Sequence, residues 1–169
     1  SLSDALKTFV SIDVLFNNAG YGLVGPFEAM TNDEIQKQIN TNVIGVMNVT
    51  REFLPYFRNK KTGTIITTTS MGGLLTFPLY SVYHATKWAL EGFLEGLQFE
   101  LKPFNIKIKN IEPGVIHTDF YNRSMVLAKK QDLTAYDDYA KIAGSNILKA
   151  GKNAPGPEVV AKKVMQAAN

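Results

Sequence analysis

Tyr83 and Lys87 are the two residues whose types and spacing most directly suggest chemistry. They lie four positions apart in a segment with a strong helical pattern, which predicts that they share one helix face, one turn apart. An unperturbed tyrosine has a pKa of about 10 and is a poor acid–base catalyst near neutral pH. A cation held close by favours the phenolate and lowers that pKa, so this spacing suits a tyrosine general acid. Such pairs also occur on solvated helix faces, and the spacing alone does not choose between the two interpretations.

Period-2 and period-3.6 hydrophobic patterns alternate along the chain, which predicts a parallel α/β sheet. Three strands are predicted, over residues 12–16, 64–69 and 106–111. Each is followed by small or polar residues: Asn17-Asn18-Ala19-Gly20 after the first, Ser70 after the second, and Pro113-Gly114-Val115-Ile116-His117-Thr118 after the third. Because ligands of open α/β sheets bind at the carboxyl ends of the strands, these residues are expected to line one site.

Two long helices are predicted, over about residues 32–58 and 80–101. The first has Thr31 or Asn32 as its N-terminal cap, since both residue types favour that position. The second stops before Pro103, because proline cannot continue a helix.

Beyond residue 120 the sequence has a polar, helical pattern, and a last helix is predicted to begin near Pro157. The predicted fold is therefore α/β, a partial doubly wound, Rossmann-like parallel sheet of three central strands with helices. It forms one domain over residues 1–169. A sheet of three strands leaves a hydrophobic edge exposed, so we expect this domain to be truncated at both ends.

Composition narrows the function classes. The formal net charge is +3 and the densest basic groupings are only pairs, so no nucleic-acid partner is predicted. The chain has no cysteine, and its two histidines, His84 and His117, have no spaced partner, so no metal site is expected.

No apolar run reaches the roughly 18 residues that cross a bilayer, and the first residues do not resemble a signal peptide. A cytoplasmic protein with no membrane partner is expected.

Several motifs occur in a fixed order along the chain. They are Asp13 before Asn17-Asn18-Ala19-Gly20, then Asn42-Val43-Ile44-Gly45, Ser70, Tyr83-His84-Ala85-Thr86-Lys87, Pro113-Gly114 and Thr118. Over about residues 12–120 this set resembles the short-chain dehydrogenase/reductase family. The resemblance implies a Rossmann-type fold and an NAD(P)-dependent oxidoreductase that acts on a small-molecule carbonyl or alcohol.

The resemblance also implies a role for each of four catalytic residues. Tyr83 would donate a proton to the substrate oxygen or remove one from it, and Ser70 would orient that oxygen. Lys87 would lower the pKa of Tyr83 and hold the hydroxyls of the nicotinamide ribose. Asn42 would support a water that links Lys87 to solvent. The spacing to Gly45 favours Asn42 for this role, whereas Asn40 is expected to face solvent.

A larger set of residues is implied to bind the cofactor, which is NADP or NAD with a slight preference for NADP. The set consists of Asn18, Ala19 and Gly20 on the adenosine side, Tyr83 and Lys87, and Pro113, Gly114, Ile116 and Thr118 around the nicotinamide. Ile116 and Thr118 would lie near the carboxamide.

One hallmark of the family is missing from this sequence. The glycine-rich turn that binds the cofactor pyrophosphate after the family's first strand has no match, and the first glycine is Gly20. We therefore expect roughly 75 residues to precede this segment in a complete reductase, and weak or no dinucleotide binding by the segment alone. The alternative is a naturally short, non-catalytic scaffold or interaction protein that retains the fold.

The family's usual assembly implies self-association of this chain. The two long helices, about 32–58 and 80–101, would form a four-helix bundle across the axis of a homodimer or homotetramer. Gly92 and Gly96 in the second helix would let the helices approach closely.

Overall fold

The computed structural model describes residues 2–169, the side chains at positions 148 and 150 excepted. In chain order, its strands are β1 (Val14–Asn17), β2 (Gly22–Val24), β3 (Gly63–Thr68), β4 (Ile106–Ile111) and β5 (Met125–Leu127). Its α-helices are α1 (Leu2–Thr8), α2 (Asn32–Ile39), α3 (Gly45–Lys60), α4 (Ser81–Leu101), α5 (Phe120–Arg123), α6 (Asp137–Gly151) and α7 (Glu158–Ala168). A π-helical segment, Asn40–Ile44, joins α2 to α3, and short 3-10 turns lie at Phe27–Ala29, Met71–Gly73 and Lys102–Phe104.

The central sheet consists of three parallel strands in the order β1-β3-β4, which confirms the predicted α/β architecture. β4 has the predicted bounds, β3 begins and ends one residue earlier, and β1 begins two residues later than predicted. The register pairs Asn17 with Thr67 and Thr67 with Asn110, so these polar residues form one row near the carboxyl ends of the strands. The strands therefore end together, as the sequence predicts for a shared site.

The main core lies between this sheet and helices α3 and α4. Its buried members are Leu15, Ile65 and Ile106 from the sheet, Phe57 from α3, and Leu97 and Leu101 from α4. A second cluster joins the two helices to each other through Val46, Leu90 and Leu94. Because burying each such side chain contributes roughly 1.5–3 kcal/mol, α4 is fixed firmly against the sheet. Its first turns are thereby held at the carboxyl ends of the strands.

The predicted helix over 32–58 is interrupted, which the sequence pattern did not indicate. Thr31 is the N-cap, and it forms a capping box with Glu34, whose backbone N–H lies 3.2 Å from the Thr31 hydroxyl. After α2, the segment Asn40–Ile44 adopts π-helical hydrogen bonding, in which the Gly45 N–H donates to the Asn40 carbonyl. Such π segments are rare and occur often at functional sites. This one contains Asn42.

A second, two-stranded sheet was not predicted at all. β2 and β5 pair in parallel, although Gly22 and its partner Met125 are 103 positions apart in the sequence. Strands of three residues are too short to show a period, so only the tertiary structure reveals them. The backbone of β2 is held by buried Gln38, whose side chain accepts a hydrogen bond from the Leu23 N–H and donates one to the Tyr21 carbonyl. This small sheet packs against α4.

No helix within residues 2–169 combines the length and the apolar character needed to cross a membrane. The helical region predicted beyond residue 120 is present as α5 and α6, and the last predicted helix is present as α7.

Candidate active site

Tyr83 lies in the first turn of α4 and is buried, with 9% of its surface exposed. Its ring contacts the rings of Tyr80 and Phe120, at centroid distances of 5.9 and 6.2 Å. Burial raises the pKa of Tyr83, whereas its side-chain hydrogen bond with Ser70 lowers the pKa. The net direction is upward, opposite to the lowering predicted for a tyrosine beside a cation, because burial outweighs the other causes. Tyr83 is thus held in its protonated form and near the Ser70 hydroxyl.

Lys87 lies one helical turn after Tyr83, and only 6% of it is exposed. Its Nζ donates a hydrogen bond of 3.0 Å to the carbonyl of Thr68, at the end of β3, and lies 5.7 Å from the centroid of the Tyr83 ring. Burial lowers the pKa of Lys87 to about 8, with the carboxylate of Glu91 acting in the opposite direction. An ammonium has three N–H donors. One of them is directed to Thr68, which leaves donor capacity for hydroxyl or carbonyl oxygens of a ligand.

Ser70 follows β3 and begins the 3-10 turn Met71–Gly73. Its Oγ accepts a hydrogen bond of 3.0 Å from the Gly72 N–H. The Met71 N–H donates to the carbonyl of Pro113, at 2.9 Å, which ties this turn to the loop after β4. Because the backbone fixes the acceptor side of the Ser70 hydroxyl, its proton can be directed to another group.

Asn42 joins three parts of the site through its side-chain amide. Its Oδ1 accepts from the Tyr21 N–H at 3.0 Å, and its Nδ2 donates to the Tyr21 carbonyl at 2.8 Å and to the hydroxyl of Thr86 at 3.2 Å. The amide therefore clamps the segment after β1 onto α4, and both of its ends are used within the protein. Asn40 is exposed, as predicted, and its side-chain Oδ1 accepts a hydrogen bond of 2.9 Å from Gln36.

We expect Asn42→Ala to lower the free energy of unfolding by about 2–3 kcal/mol, because it removes three hydrogen bonds and leaves buried partners unsatisfied. Asn40→Ala is the matched control. It removes the same side chain from an exposed position two residues earlier, and its expected effect is about 0.5 kcal/mol or less. Urea unfolding of both variants measures the difference. Equal effects of the two substitutions on the free energy of unfolding would show that the hydrogen bonds of the Asn42 amide do not contribute to stability.

The segment after β1 comes close to Asn42 and Lys87 at Gly20. A Cβ built on Gly20 would lie 3.3 Å from Oδ1 of Asn42 and 3.9 Å from Nζ of Lys87. Asn18 and Ala19 are exposed at the rim, and the Asn18 side chain accepts a hydrogen bond of 2.8 Å from the Thr68 hydroxyl. The structure thus brings the ends of β1 and β3 together around Lys87, as the sequence predicts.

The loop after β4 is only partly joined to this group. Pro113 contacts the Ser70 turn through Met71, and a Cβ on Gly114 would lie 3.3 Å from the Met71 sulfur. The Thr118 hydroxyl accepts from the Phe120 N–H at 3.2 Å, at the start of α5. Among the described residues, no hydrogen bond joins Ile116 or Thr118 to Tyr83 or Lys87. Their predicted place near a carboxamide stays a prediction.

Two buried polar residues belong to the site although the sequence analysis predicts no role for either. Thr86 is 1% exposed, donates to the Tyr83 carbonyl at 2.7 Å and accepts from Asn42, so it connects α4 to the π segment. Gln38 is fully buried beneath β2. Both could have been identified in the sequence as polar residues at core-facing helix positions, since buried polar groups need hydrogen-bond partners. Thr86 lies between Tyr83 and Lys87, and Gln38 lies between two isoleucines of α2, at positions 35 and 39.

Comparisons with known proteins agree with the observed fold. The sequence model of the family described as short chain dehydrogenase matches residues 1–126. An uncharacterised oxidoreductase of Schizosaccharomyces pombe is 37% identical over 168 residues, covering 99% of this chain and 70% of the relative. A crystal structure of a short-chain dehydrogenase from Streptomyces avermitilis matches with a TM-score of 0.83 and 33% identity, over 97% of this chain and 59% of that chain. The structure of ElxO with NADP bound matches with a TM-score of 0.77 and 27% identity, over 99% of this chain and 64% of that chain.

These matches confirm the Rossmann-like α/β fold predicted from the sequence. They also show that the chain spans less than two thirds of the length of either solved structure. NADP in the ElxO structure agrees with the predicted class of cofactor.

Proposed function

The chain belongs to the short-chain dehydrogenase family of oxidoreductases, and we propose that it reduces a carbonyl compound, or oxidises the corresponding alcohol, with NADP or NAD. The observation that supports this most directly is the joint placement of Tyr83, Ser70 and Lys87. The Ser70 hydroxyl acts on Tyr83 and lowers its pKa, and a buried ammonium lies 5.7 Å from the tyrosine ring, near the carboxyl end of β3. This arrangement supplies a proton donor, a second hydrogen-bond donor and a positive charge at one place.

In the proposed reduction, the substrate oxygen lies between the hydroxyls of Ser70 and Tyr83. The Ser70 hydroxyl, held by the Gly72 N–H, donates a hydrogen bond to that oxygen and polarises the carbonyl. Tyr83 is protonated at neutral pH, because burial raises its pKa, and it transfers its proton to the oxygen as negative charge develops there. The Lys87 ammonium stabilises the phenolate that remains on Tyr83. The nicotinamide, when bound, supplies the hydride to the carbonyl carbon.

The residues present fit the nicotinamide end of such a cofactor. Lys87 has N–H donors beyond the one used by Thr68, and a pair of ribose hydroxyls offers acceptors for them. Gly20 leaves room beside Nζ of Lys87 that a side chain would restrict. The proposed cofactor contacts remain those of the sequence prediction: Asn18, Ala19, Gly20, Tyr83, Lys87, Pro113, Gly114, Ile116 and Thr118. None of them selects between NADP and NAD.

Hydride transfer is the direct test of this proposal. The purified full-length protein is incubated with a panel of ketones and aldehydes and with NADPH or NADH deuterated at C4, and the products are analysed by mass spectrometry. We expect deuterium in the alcohol carbon of at least one product and a matching loss of reduced nicotinamide absorbance. Folded protein that transfers no deuterium to any carbonyl, with either cofactor, would favour the non-catalytic scaffold instead.

The proposal names a small molecule, rather than a nucleic acid or a membrane, as the partner of this site. It also includes a cytoplasmic location, which a cysteine-free sequence is compatible with. Imaging of the fluorescently tagged full-length protein in its own cells would test the location.

Self-association through α4 is part of the same proposal. Trp88 and Phe99 are 51% and 70% exposed on this helix, and no atom outside the helix lies within 4 Å of a Cβ built on Gly92 or Gly96. Such an open, partly apolar stripe suits close packing of a second copy.

We expect the native protein to sediment as a dimer or tetramer and Gly96→Glu to sediment as a monomer, because a carboxylate would be buried in the interface. Gly144→Glu is the matched control, since Gly144 is equally open but lies on α6. Analytical ultracentrifugation distinguishes the forms. A native protein that sediments as a monomer would contradict self-association. Dissociation to a monomer in both variants would contradict the placement of the interface on α4.

A further inference from the structure

His84, the neighbour of Tyr83, is buried between α4 and the loop that carries Ser70. It is 4% exposed, and both of its ring nitrogens have partners in that loop. Nδ1 lies 2.8 Å from the Gly72 carbonyl, and Nε2 accepts a hydrogen bond of 2.7 Å from the Phe77 N–H. Because an N–H group can only donate, Nε2 carries no proton, and the proton of the neutral ring is on Nδ1. The two contacts thus fix both the tautomer and the orientation of the imidazole.

The first of these contacts leads directly to Ser70. The carbonyl of Gly72 accepts from His84, and the N–H of the same residue donates to the Ser70 hydroxyl at 3.0 Å. A Cβ built on Gly72 would lie 3.0 Å from Nδ1 of His84, so the ring rests on the backbone of this residue. One peptide segment therefore transmits the position of the imidazole to the catalytic hydroxyl.

The second contact holds the far end of the loop. Leu74 and Leu75 are more than half exposed, so little apolar packing fixes the middle of the segment between the 3-10 turn and α4. The Phe77 N–H and its ring both contact His84, with the ring centroids 5.0 Å apart. The imidazole is therefore one buried connection between this loop and the helix that carries Tyr83, and it is hydrogen-bonded to the loop at two places.

We propose that His84 is a positioning residue: its imidazole, protonated on Nδ1, holds the Gly72 backbone so that Ser70 faces the substrate oxygen beside Tyr83. This inference rests on the proposed oxidoreductase function. It assigns a role to a side chain that itself touches neither substrate nor cofactor. The contact with Gly72 sets the position of the Ser70 hydroxyl, and the contact with Phe77 limits the movement of the loop.

Two substitutions separate these contacts. The Nδ2 amide of an asparagine can replace Nδ1–H and donate to Gly72, whereas the Oε1 of a glutamine can replace Nε2 and accept from Phe77. His84→Phe keeps a ring of similar shape and removes both contacts. Since a displacement of about 1 Å at a reacting group can cost about 10²-fold in rate, we expect His84→Phe to lower kcat by about 10²-fold. We expect His84→Asn to recover most of that loss and His84→Gln to recover little.

The experiment combines kinetics with amide hydrogen exchange on the full-length native protein, the three His84 variants and an Ala85→Asn control. Ala85 is exposed on the same helix. We expect kcat to fall while KM for the reduced nicotinamide stays within about threefold, because a group that acts on Ser70 affects the chemical step more than cofactor binding. Hydrogen exchange should quicken over residues 71–77 in His84→Phe and remain native-like in the control.

Each outcome decides a different part of the proposal. Native kcat in His84→Phe, or equal losses in His84→Asn and His84→Gln, would overturn the positioning role. Native hydrogen exchange in His84→Phe would show that the imidazole does not hold the loop. If the native protein transfers no hydride, the proposed function fails, and the exchange data still decide whether His84 holds the Ser70 loop.

Discussion

Tyr83→Phe is expected to lower kcat by about 10²- to 10⁴-fold, which is the usual contribution of a general acid, and to leave the fold intact. The substitution removes only the hydroxyl that we propose donates the proton. The ring would keep its contacts with Tyr80 and Phe120 and its place beside buried Val24. The substitution removes the hydrogen bond with Ser70, which destabilises the fold, and it also removes a buried polar group, which stabilises the fold. Because these effects oppose each other, the free energy of unfolding should change by about 1 kcal/mol or less.

Tyr80→Phe is the matched control for this experiment. Tyr80 lies one helical turn before His84 and is also buried, and burial raises its pKa to about 12. Its hydroxyl contacts the sulfur of Met125 at 3.6 Å and is not directed at Ser70 or Lys87. The control should therefore retain most of the native activity. Steady-state kinetics and thermal unfolding of both variants measure the contrast, and similar losses of kcat in the two would contradict the role of Tyr83.

The parts of the fold that the sequence predicted are those with a local period. β4 has the predicted bounds, because the run of residues 106–111 is flanked by a proline-containing turn on each side. The helix predicted over 80–101 begins one residue later, at Ser81, and ends where expected. Buried strands and long amphipathic helices carry their pattern within their own residues, and sequence reasoning is therefore reliable for them.

The features that were missed depend on distant partners. β2 exists because Met125–Leu127 pairs with it and because Gln38 satisfies its backbone. The π segment Asn40–Ile44 has no distinct composition, and its polar members could equally have continued the α-helix. In both cases the tertiary structure selects one conformation among several that the local sequence allows.

The same limit applies to the chemistry of the site. The spacing of Tyr83 and Lys87 predicts that they share a face, and it predicts a lowered pKa for a tyrosine near a cation. It does not reveal that both side chains are buried, and burial acts against the charged form of each. The direction in which the pKa of Tyr83 shifts therefore depends on desolvation, and only the packed structure shows how far the side chain is desolvated.

Lys87→Met is expected to inactivate the enzyme and to stabilise the fold at once. The loss of the ammonium should lower kcat by about 10²- to 10³-fold, the usual cost of removing one group that stabilises developing charge. Methionine fills a space similar to that of the lysine stem, while the buried charge disappears. Because burial lowers the pKa of Lys87 from 10.5 to about 8, the charged form costs the folded state about 3 kcal/mol near neutral pH. The substitution removes this cost, but it also removes the hydrogen bond to Thr68, which lowers the expected stabilisation by about 1 kcal/mol.

The pH dependence of this stabilisation distinguishes it from a simple packing effect. Between about pH 8 and pH 10.5, Lys87 of the unsubstituted protein is protonated in the unfolded state but has lost its proton in the folded state. The free energy of unfolding of this protein therefore rises with pH across this window. The advantage of Lys87→Met should therefore be greatest below pH 8 and should shrink as the pH approaches 10.5. Lys107→Met, at an exposed position on β4, controls for the removal of a lysine as such. Urea unfolding at several pH values measures the stability of both variants. A Lys87→Met protein less stable than the native one below pH 8 would contradict a net cost of burying the Lys87 charge.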